Sequence, residues 1–80
     1  MTKQLYTVTV VSENKPGVLY RIAGIFVRRK INVESLEVHE TATKGISKFT
    51  IIINADQENI EKVLSQIRRV IEVINASIEI

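Results

Sequence analysis

The sequence predicts an α+β domain in which a four-stranded antiparallel sheet carries two helices on one face. Three observations support this. Four segments have the alternating, β-branched pattern of strands, two have the apolar spacing of helices, and their order is β-α-β-β-α-β. The 80 residues suffice for one domain, residues 1–80, and the composition of 45% hydrophobic and 25% charged residues is that of an ordinary globular protein.

The first half of the chain has the pattern strand, helix, strand. Residues 5–12 alternate with period two, residues 18–29 place their apolar side chains on one helical face, and residues 31–40 alternate again. Asn14 precedes the helix, and its side-chain oxygen is expected to cap the first turn. Basic residues at the far end of the helix suit its dipole.

The second half of the chain again has the order strand, helix, strand, and a hairpin loop joins it to the first half. Residues 41–45 are predicted to form the hairpin loop and residues 46–54 the third strand. A second helix is predicted at 57–69, capped by Asp56, and a last strand at 71–79. Two right-handed β-α-β units joined by a hairpin predict a ferredoxin-like sandwich. Its unpaired edge strands favour a side-by-side homodimer that joins two sheets.

Composition narrows the functional classes. The chain has no cysteine, which excludes disulfides and thiolate metal sites, and His39 is its only histidine. A formal net charge of +2 is too small to imply nucleic acid. No apolar run of about 18 residues is present, and the N-terminus lacks a signal-peptide layout, so we expect a cytoplasmic protein without a membrane span.

The residues that catalysis or metal transport would need are missing, and RNA binding is disfavoured. His39 and Ser35 lie four residues apart on one strand, about 13 Å, which is too far for a catalytic dyad. The first loop contains no CxxC motif for a metal carrier. Tyr6 and Phe49 are the only strand aromatics, and both fit core-facing positions where they could not stack on bases.

The turn Asn14-Lys15-Pro16-Gly17 before Val18-Leu19 is the best candidate for a binding site. A helix start presents free N–H groups that attract carboxylates, and a glycine lets a ligand approach the backbone. Asn14 offers both a donor and an acceptor, which suits an amino acid. From these residues alone, an amino-acid site and an ordinary helix start explain the turn equally well.

The same segment resembles the first-loop motif of ACT domains, which bind amino acids and regulate metabolic enzymes. Longer runs resemble the small regulatory subunit of acetolactate synthase (acetohydroxyacid synthase). These runs are Arg21-Ile22-Ala23-Gly24-Ile25-Phe26, Asn32-Val33-Glu34-Ser35-Leu36, Ser47-Lys48-Phe49-Thr50-Ile51 and Gln66-Ile67-Arg68-Arg69-Val70-Ile71-Glu72-Val73-Ile74. The similarity covers nearly the whole chain.

The resemblance implies a non-catalytic regulatory subunit that forms a homodimer and binds valine or a related amino acid at the dimer interface. It implies feedback regulation of a separate catalytic subunit, which would carry thiamine diphosphate, FAD and Mg²⁺, with no cofactor on this chain. The implied effector contacts are Asn14, Gly17, Val18 and Leu19 from one chain, and Ile31, Asn32 and Val33 from the other.

The sequence departs from the family pattern at one position. Family members usually have glycine and then an aromatic residue at the end of the first helix, where this chain has Lys30-Ile31, so that helix end is expected to be built differently. Many members also carry a C-terminal domain, so this chain corresponds either to a short form or to part of a longer subunit. Two alternatives remain: an ACT module that regulates another enzyme or a transcription factor, and an RNA-binding ferredoxin-like domain.

Overall fold

A computed structural model describes residues 3–79, so positions 1, 2 and 80 of the predicted domain lie outside the described residues. The order β-α-β-β-α-β is confirmed. The elements are β1 Gln4–Glu13, α1 Val18–Arg28, β2 Asn32–Glu40, β3 Ile46–Ala55, α2 Gln57–Arg68 and β4 Val73–Glu79. All pairings are antiparallel and the strand order is β2-β3-β1-β4, which makes β2 and β4 the edges. This is the predicted ferredoxin-like arrangement.

The core lies between the two helices and one face of the two central strands. Alternate residues of β1 and β3 point into it, and the apolar stripes of α1 and α2 cover them. Tyr6 and Phe49, predicted to face the core, are 5% and 3% exposed. Other fully enclosed side chains are Val8, Val10, Ile22, Phe26, Ile51, Ile53, Ile60, Val63 and Ile67.

Strand β2 is not covered by the helix layer. Leu36 and Val38 pair with the core-facing Ile51 and Phe49, so they point to the helix side of the sheet. They nevertheless remain 43% and 42% exposed, and every other residue of β2 is exposed as well. An apolar row, which also includes Val33, therefore lies open along one edge.

Local hydrogen bonds define both the start of α2 and the segment that follows it. Asp56 caps α2 as predicted, because its carboxylate accepts the N–H of Asn59 at 2.8 Å. Strand β4 begins at Val73, two residues later than the pattern indicated. Successive turn bonds after α2, such as Val73 N–H to Val70 O at 3.0 Å, occupy the intervening residues.

The end of α1 is a Schellman motif with lysine in the position that glycine usually occupies. Lys30 has φ +57°, its N–H donates to Val27 O at 3.0 Å, and the N–H of Ile31 donates to Phe26 O at 3.0 Å. Ile31 also packs against the core, a contact that frequently accompanies this motif. The helix end is therefore left-handed even though lysine replaces the usual glycine, and it is not built differently as the sequence led us to expect.

Lys30→Gly is expected to stabilise the domain. A left-handed conformation costs about 1–2 kcal/mol for a residue with a Cβ, and the extra freedom of glycine in the unfolded chain offsets about 0.5–1 kcal/mol of that. The expected net gain is up to about 1 kcal/mol, which is a Tm increase of several degrees for a domain of this size. Lys30→Ala keeps the Cβ and serves as the control in thermal unfolding. An equal gain in both variants would contradict strain at Lys30.

Candidate functional site

The turn between β1 and α1 is held from two sides. The N–H of Asn14 donates to Gly45 O at 2.8 Å, which joins the turn to the β2–β3 hairpin. The N–H of Glu13 donates to Glu72 O at 2.9 Å, which joins it to the segment before β4. The backbone of the turn is therefore positioned by long-range contacts and not by its own sequence alone.

Gly17 gives the turn its shape. It is the N-cap of α1, with φ +87° and ψ −12°, a left-handed conformation that residues with a Cβ rarely adopt. A Cβ built on Gly17 would contact no atom of the described residues within 4 Å. Glycine is therefore required by the backbone conformation, and the space in front of it is open to a ligand.

The helix start leaves N–H groups for an acceptor from outside. The N–H of Val18 donates to Lys15 O at 3.3 Å and that of Arg21 donates to Gly17 O at 3.0 Å. Within residues 3–79, the N–H groups of Gly17, Leu19 and Tyr20 have no such acceptor, and α1 has no acidic residue in its first turn. Together with the positive end of the helix dipole, these donors favour a carboxylate or another anion.

The predicted cap by Asn14 is wrong. Among residues 3–79 no side chain caps α1, because Gly17 itself occupies the N-cap position, three residues beyond Asn14. Asn14 is exposed, and its backbone N–H is committed to the hairpin. Its amide side chain is therefore free of a structural role at the helix start and available for a ligand.

An ion pair lies directly behind the turn. Arg21 Nη2 lies 2.8 Å from Glu72 Oε2, and the Glu72 side chain is only 18% exposed. The hydrogen bond from Arg21 is the main reason that the pKa of Glu72 lies below its ordinary value of 4.5, and the charge of Lys15 contributes in the same direction. The second oxygen, Oε1, is buried without a hydrogen-bond partner among the described residues.

Glu72→Gln is expected to lower Tm at pH 7 by a few degrees at most, because the pair with Arg21 is partly solvated. Since folding lowers the pKa of Glu72, its contribution is present above pH 4.5 and is lost as the pH falls through the folded-state pKa. Thermal unfolding at pH 7 and pH 3 should show the difference between wild type and variant closing at low pH. Glu61→Gln, at an exposed position of α2, is the control and should change neither value.

The two halves of the predicted effector site lie at opposite ends of α1. Val18 is 2% exposed and belongs to the core, so only its backbone can reach a ligand, whereas Leu19 is 45% exposed. Ile31, Asn32 and Val33 follow the far end of the helix, which has 11 residues and is about 16 Å long. One chain therefore does not bring these residues together.

Sequence reasoning missed an apolar groove between α1 and β2. Its walls offer no polar surface, and its volume is about 30 Å³. The residues that line it are Leu19, Ile22, Ala23, Phe26, Val33, Leu36 and Ile51. Leu19 and Val33 belong to the two predicted halves of the site, so this groove connects them along the chain's surface. Its only sequence signal was the apolar alternation within an edge strand.

The described residues offer no assembled catalytic centre. The side chain of His39 is 73% exposed and its nearest carboxylate, Glu37, is 3.9 Å away. Residues 3–79 contain no group of three or more His, Asp or Glu side chains that could hold a metal ion. Of the two helices described, neither is both long enough and apolar enough to cross a membrane.

Solved structures that superimpose on this chain include an acetolactate synthase small subunit and an isolated ACT domain. The acetolactate synthase small subunit from Thermotoga maritima superimposes with a TM-score of 0.84 at 32% identity, over 94% of this chain and 47% of that one. The ACT domain from the GTP pyrophosphokinase of Chlorobium tepidum superimposes with a TM-score of 0.83 over 98% of this chain and 100% of that one. At 20% identity, the second likeness concerns the fold alone.

Sequence comparison then gives the family. The family described as AHAS small subunit-like ACT domain matches residues 8–75. A probable acetolactate synthase small subunit from Archaeoglobus fulgidus is 44% identical over 72 residues, and the acetolactate synthase small subunit of Mycobacterium avium is 42% identical over 74. These matches cover 90% and 92% of this chain but 45% and 44% of the relatives, so the chain spans less than half of their length. The chain belongs to the AHAS small subunit-like ACT domain family.

Proposed function

We propose that this chain is a regulatory, non-catalytic part of an acetolactate synthase, and that it binds valine or a related amino acid between two copies of itself. The observation that carries the proposal is the open helix start at Gly17, with unoccupied N–H groups beside an exposed apolar groove. The names of the related small subunits support the regulatory role. Thiamine diphosphate, FAD and Mg²⁺ would lie on the catalytic subunit.

The homodimer would form through β2. Its outer edge has no neighbouring strand among the described residues, and such an edge favours pairing with another chain. Val33, Leu36 and Val38 are each about 40% exposed on the helix side, and burying them would extend the core across the joint. Leu19 and Val27 of α1, 45% and 73% exposed, are available to pack on the same side.

This dimer would complete the effector site. If two β2 strands pair antiparallel about Leu36, Asn32 of one copy lies opposite Glu40 of the other. Glu40 adjoins the hairpin whose Gly45 carbonyl accepts the N–H of Asn14. The start of β2 in one copy would therefore approach the turn at Gly17 of the other copy. Within its own chain, the start of β2 lies about one helix length from that turn.

The chemistry of the combined site suits a small apolar amino acid. The carboxylate would accept hydrogen bonds from the N–H groups at the start of α1, and the ammonium would donate to the side-chain oxygens of Asn14 and of the second copy's Asn32. Leu19 would contact the aliphatic side chain, together with Ile31 and Val33 of the second copy. A ligand held by two chains stabilises one dimer arrangement, and coupling of this kind is typically about 1–3 kcal/mol.

Calorimetric titration of the dimeric protein with valine, leucine and isoleucine tests the effector, with D-valine as the stereochemical control. We expect saturable heat with at least one L-amino acid and none with D-valine. No heat from any of the three would contradict effector binding. Titration of the catalytic subunit with this protein tests the regulatory role separately. Amino-acid binding without catalytic-subunit binding would favour an ACT module that regulates another protein.

A further inference from the structure

A second groove lies on the other side of α1, between α1 and the end of α2. Its volume is about 400 Å³, and it is open along its length. Arg21, Arg28 and Arg69 line it together with Ile25, Val70 and Ile71. We call this surface the arginine groove. Neither the effector site nor the β2 edge uses it.

The arginine groove has uncompensated positive charge. Arg21 is paired with Glu72, but Arg28 and Arg69 have no carboxylate within 4 Å among residues 3–79. Both side chains belong to exposed residues. The Arg28 guanidinium extends along its own helix over Gly24, where Nη1 would lie 3.4 Å from a Cβ on that glycine. The Arg28 guanidinium therefore lies along the surface of α1.

The base of the groove is held firmly. Arg29 Nε donates to Gln66 Oε1 at 2.9 Å, which ties α1 to α2 across the base. Ile25, at 5% exposure, anchors the same stretch of α1 in the core. A surface that keeps its shape in the free protein loses less conformational entropy on binding than a flexible one.

An apolar side chain stands at the rim. Ile71 is 89% exposed, the most exposed of the large hydrophobic residues described. Arginine beside an apolar anchor is typical of protein interfaces, where guanidinium groups bind carboxylates in two-point contacts. No aromatic residue lines the groove for stacking on nucleic-acid bases. The open shape suits a protein segment better than an enclosed small molecule.

We propose that the arginine groove binds an acidic segment of the catalytic subunit, in which one or more carboxylates flank an apolar side chain. This inference rests on the proposed function and names the surface through which it would act. Carboxylates would pair with Arg28 and Arg69 while the apolar side chain packs on Ile71. Because the groove faces away from β2 across α1, dimer formation leaves one copy of it open on each chain.

Charge reversal at the groove tests the inference. Arg28→Glu/Arg69→Glu should weaken binding to the purified catalytic subunit at least tenfold by biolayer interferometry. Lys3→Glu/Lys48→Glu changes net charge equally at exposed positions outside the groove and should change affinity less than threefold. Arg28→Gln/Arg69→Gln, which adds no repulsion or unfavourable charge at the helix ends, should give an intermediate loss. Dimer mass and amino-acid binding should stay unchanged in every variant.

The outcomes separate the inference from the function on which it rests. If the wild type binds the catalytic subunit and the groove and control variants bind it with equal affinity, the groove is not the binding surface. The proposed regulatory role would be unaffected by that result. Failure of the wild type to bind the catalytic subunit would overturn both. A short RNA serves as a further probe. Binding of RNA that the groove substitutions abolish, with catalytic-subunit affinity unchanged, would assign the groove to nucleic acid and contradict the inference.

Discussion

Gly17→Asp is expected to abolish detectable valine binding. The substitution places a carboxylate at the helix start, where the carboxylate of the amino acid would accept N–H groups. Two like charges about 4 Å apart repel by about 4 kcal/mol at the effective dielectric constant of a protein surface, which corresponds to a loss of affinity of about a thousandfold. Isothermal titration calorimetry with valine measures the loss directly.

Gly17→Asn is the matched control for this experiment. Asparagine has the size of aspartate and tolerates a left-handed conformation comparably, so it imposes the same strain at φ +87° without the charge. We expect Gly17→Asn to bind valine more weakly than wild type but clearly more tightly than Gly17→Asp. Circular dichroism should show both variants folded. Unchanged valine affinity in Gly17→Asp would refute the placement of the site at this turn.

Leu36→Lys is expected to convert the proposed β2 dimer to a monomer. Leu36 lies near the middle of β2 and points to the helix side, and a two-fold axis through the strand would bring two introduced charges together. In the isolated chain this side chain is already 43% exposed, so the folded monomer should lose about 1 kcal/mol or less. The dimer dissociation constant should rise at least a hundredfold, as measured by sedimentation equilibrium.

Ser35→Lys provides the comparison for Leu36→Lys. It adds the same charge one residue away on the same strand, but Ser35 pairs with Ile52 on the open face of the sheet. We expect this variant to remain dimeric and to bind valine. Leu36→Lys should also lose valine binding, although its turn at Gly17 is intact, because the partner's half of the site is missing. A dimeric Leu36→Lys protein would exclude β2 as the interface.

The order and type of the elements were predictable because they depend on local patterns. Tyr6, Val8 and Val10 follow the period of a strand that buries one face, and Ile60, Val63 and Ile67 follow that of a helix that buries one stripe. Asp56 likewise caps α2 through the N–H of Asn59, three residues away. Each of these patterns involves residues close together in the sequence, so the sequence alone is enough to predict the element that it forms.

The details of the candidate site were less accessible because they depend on distant residues. Asn14 was predicted to cap α1, but its backbone is bound to Gly45, and Gly17 takes the N-cap position. Glu72 meets Arg21 only because the segment before β4 packs beside β1. Neither contact leaves a periodic pattern, since partners more than twenty-five residues apart can vary independently of local spacing.

Local patterns in the sequence were sufficient to predict the ferredoxin-like fold, the family and the glycine turn that starts α1. The packing of the helices sets three features that no local pattern carries: the helix layer stops short of β2, Leu36 and Val38 stay half-exposed, and the turn and Asn32 lie a helix length apart. Periodicity identifies the buried face of a strand but not the element that covers it. Coverage depends on where the two helices pack across the sheet, and here they leave β2 exposed along one edge.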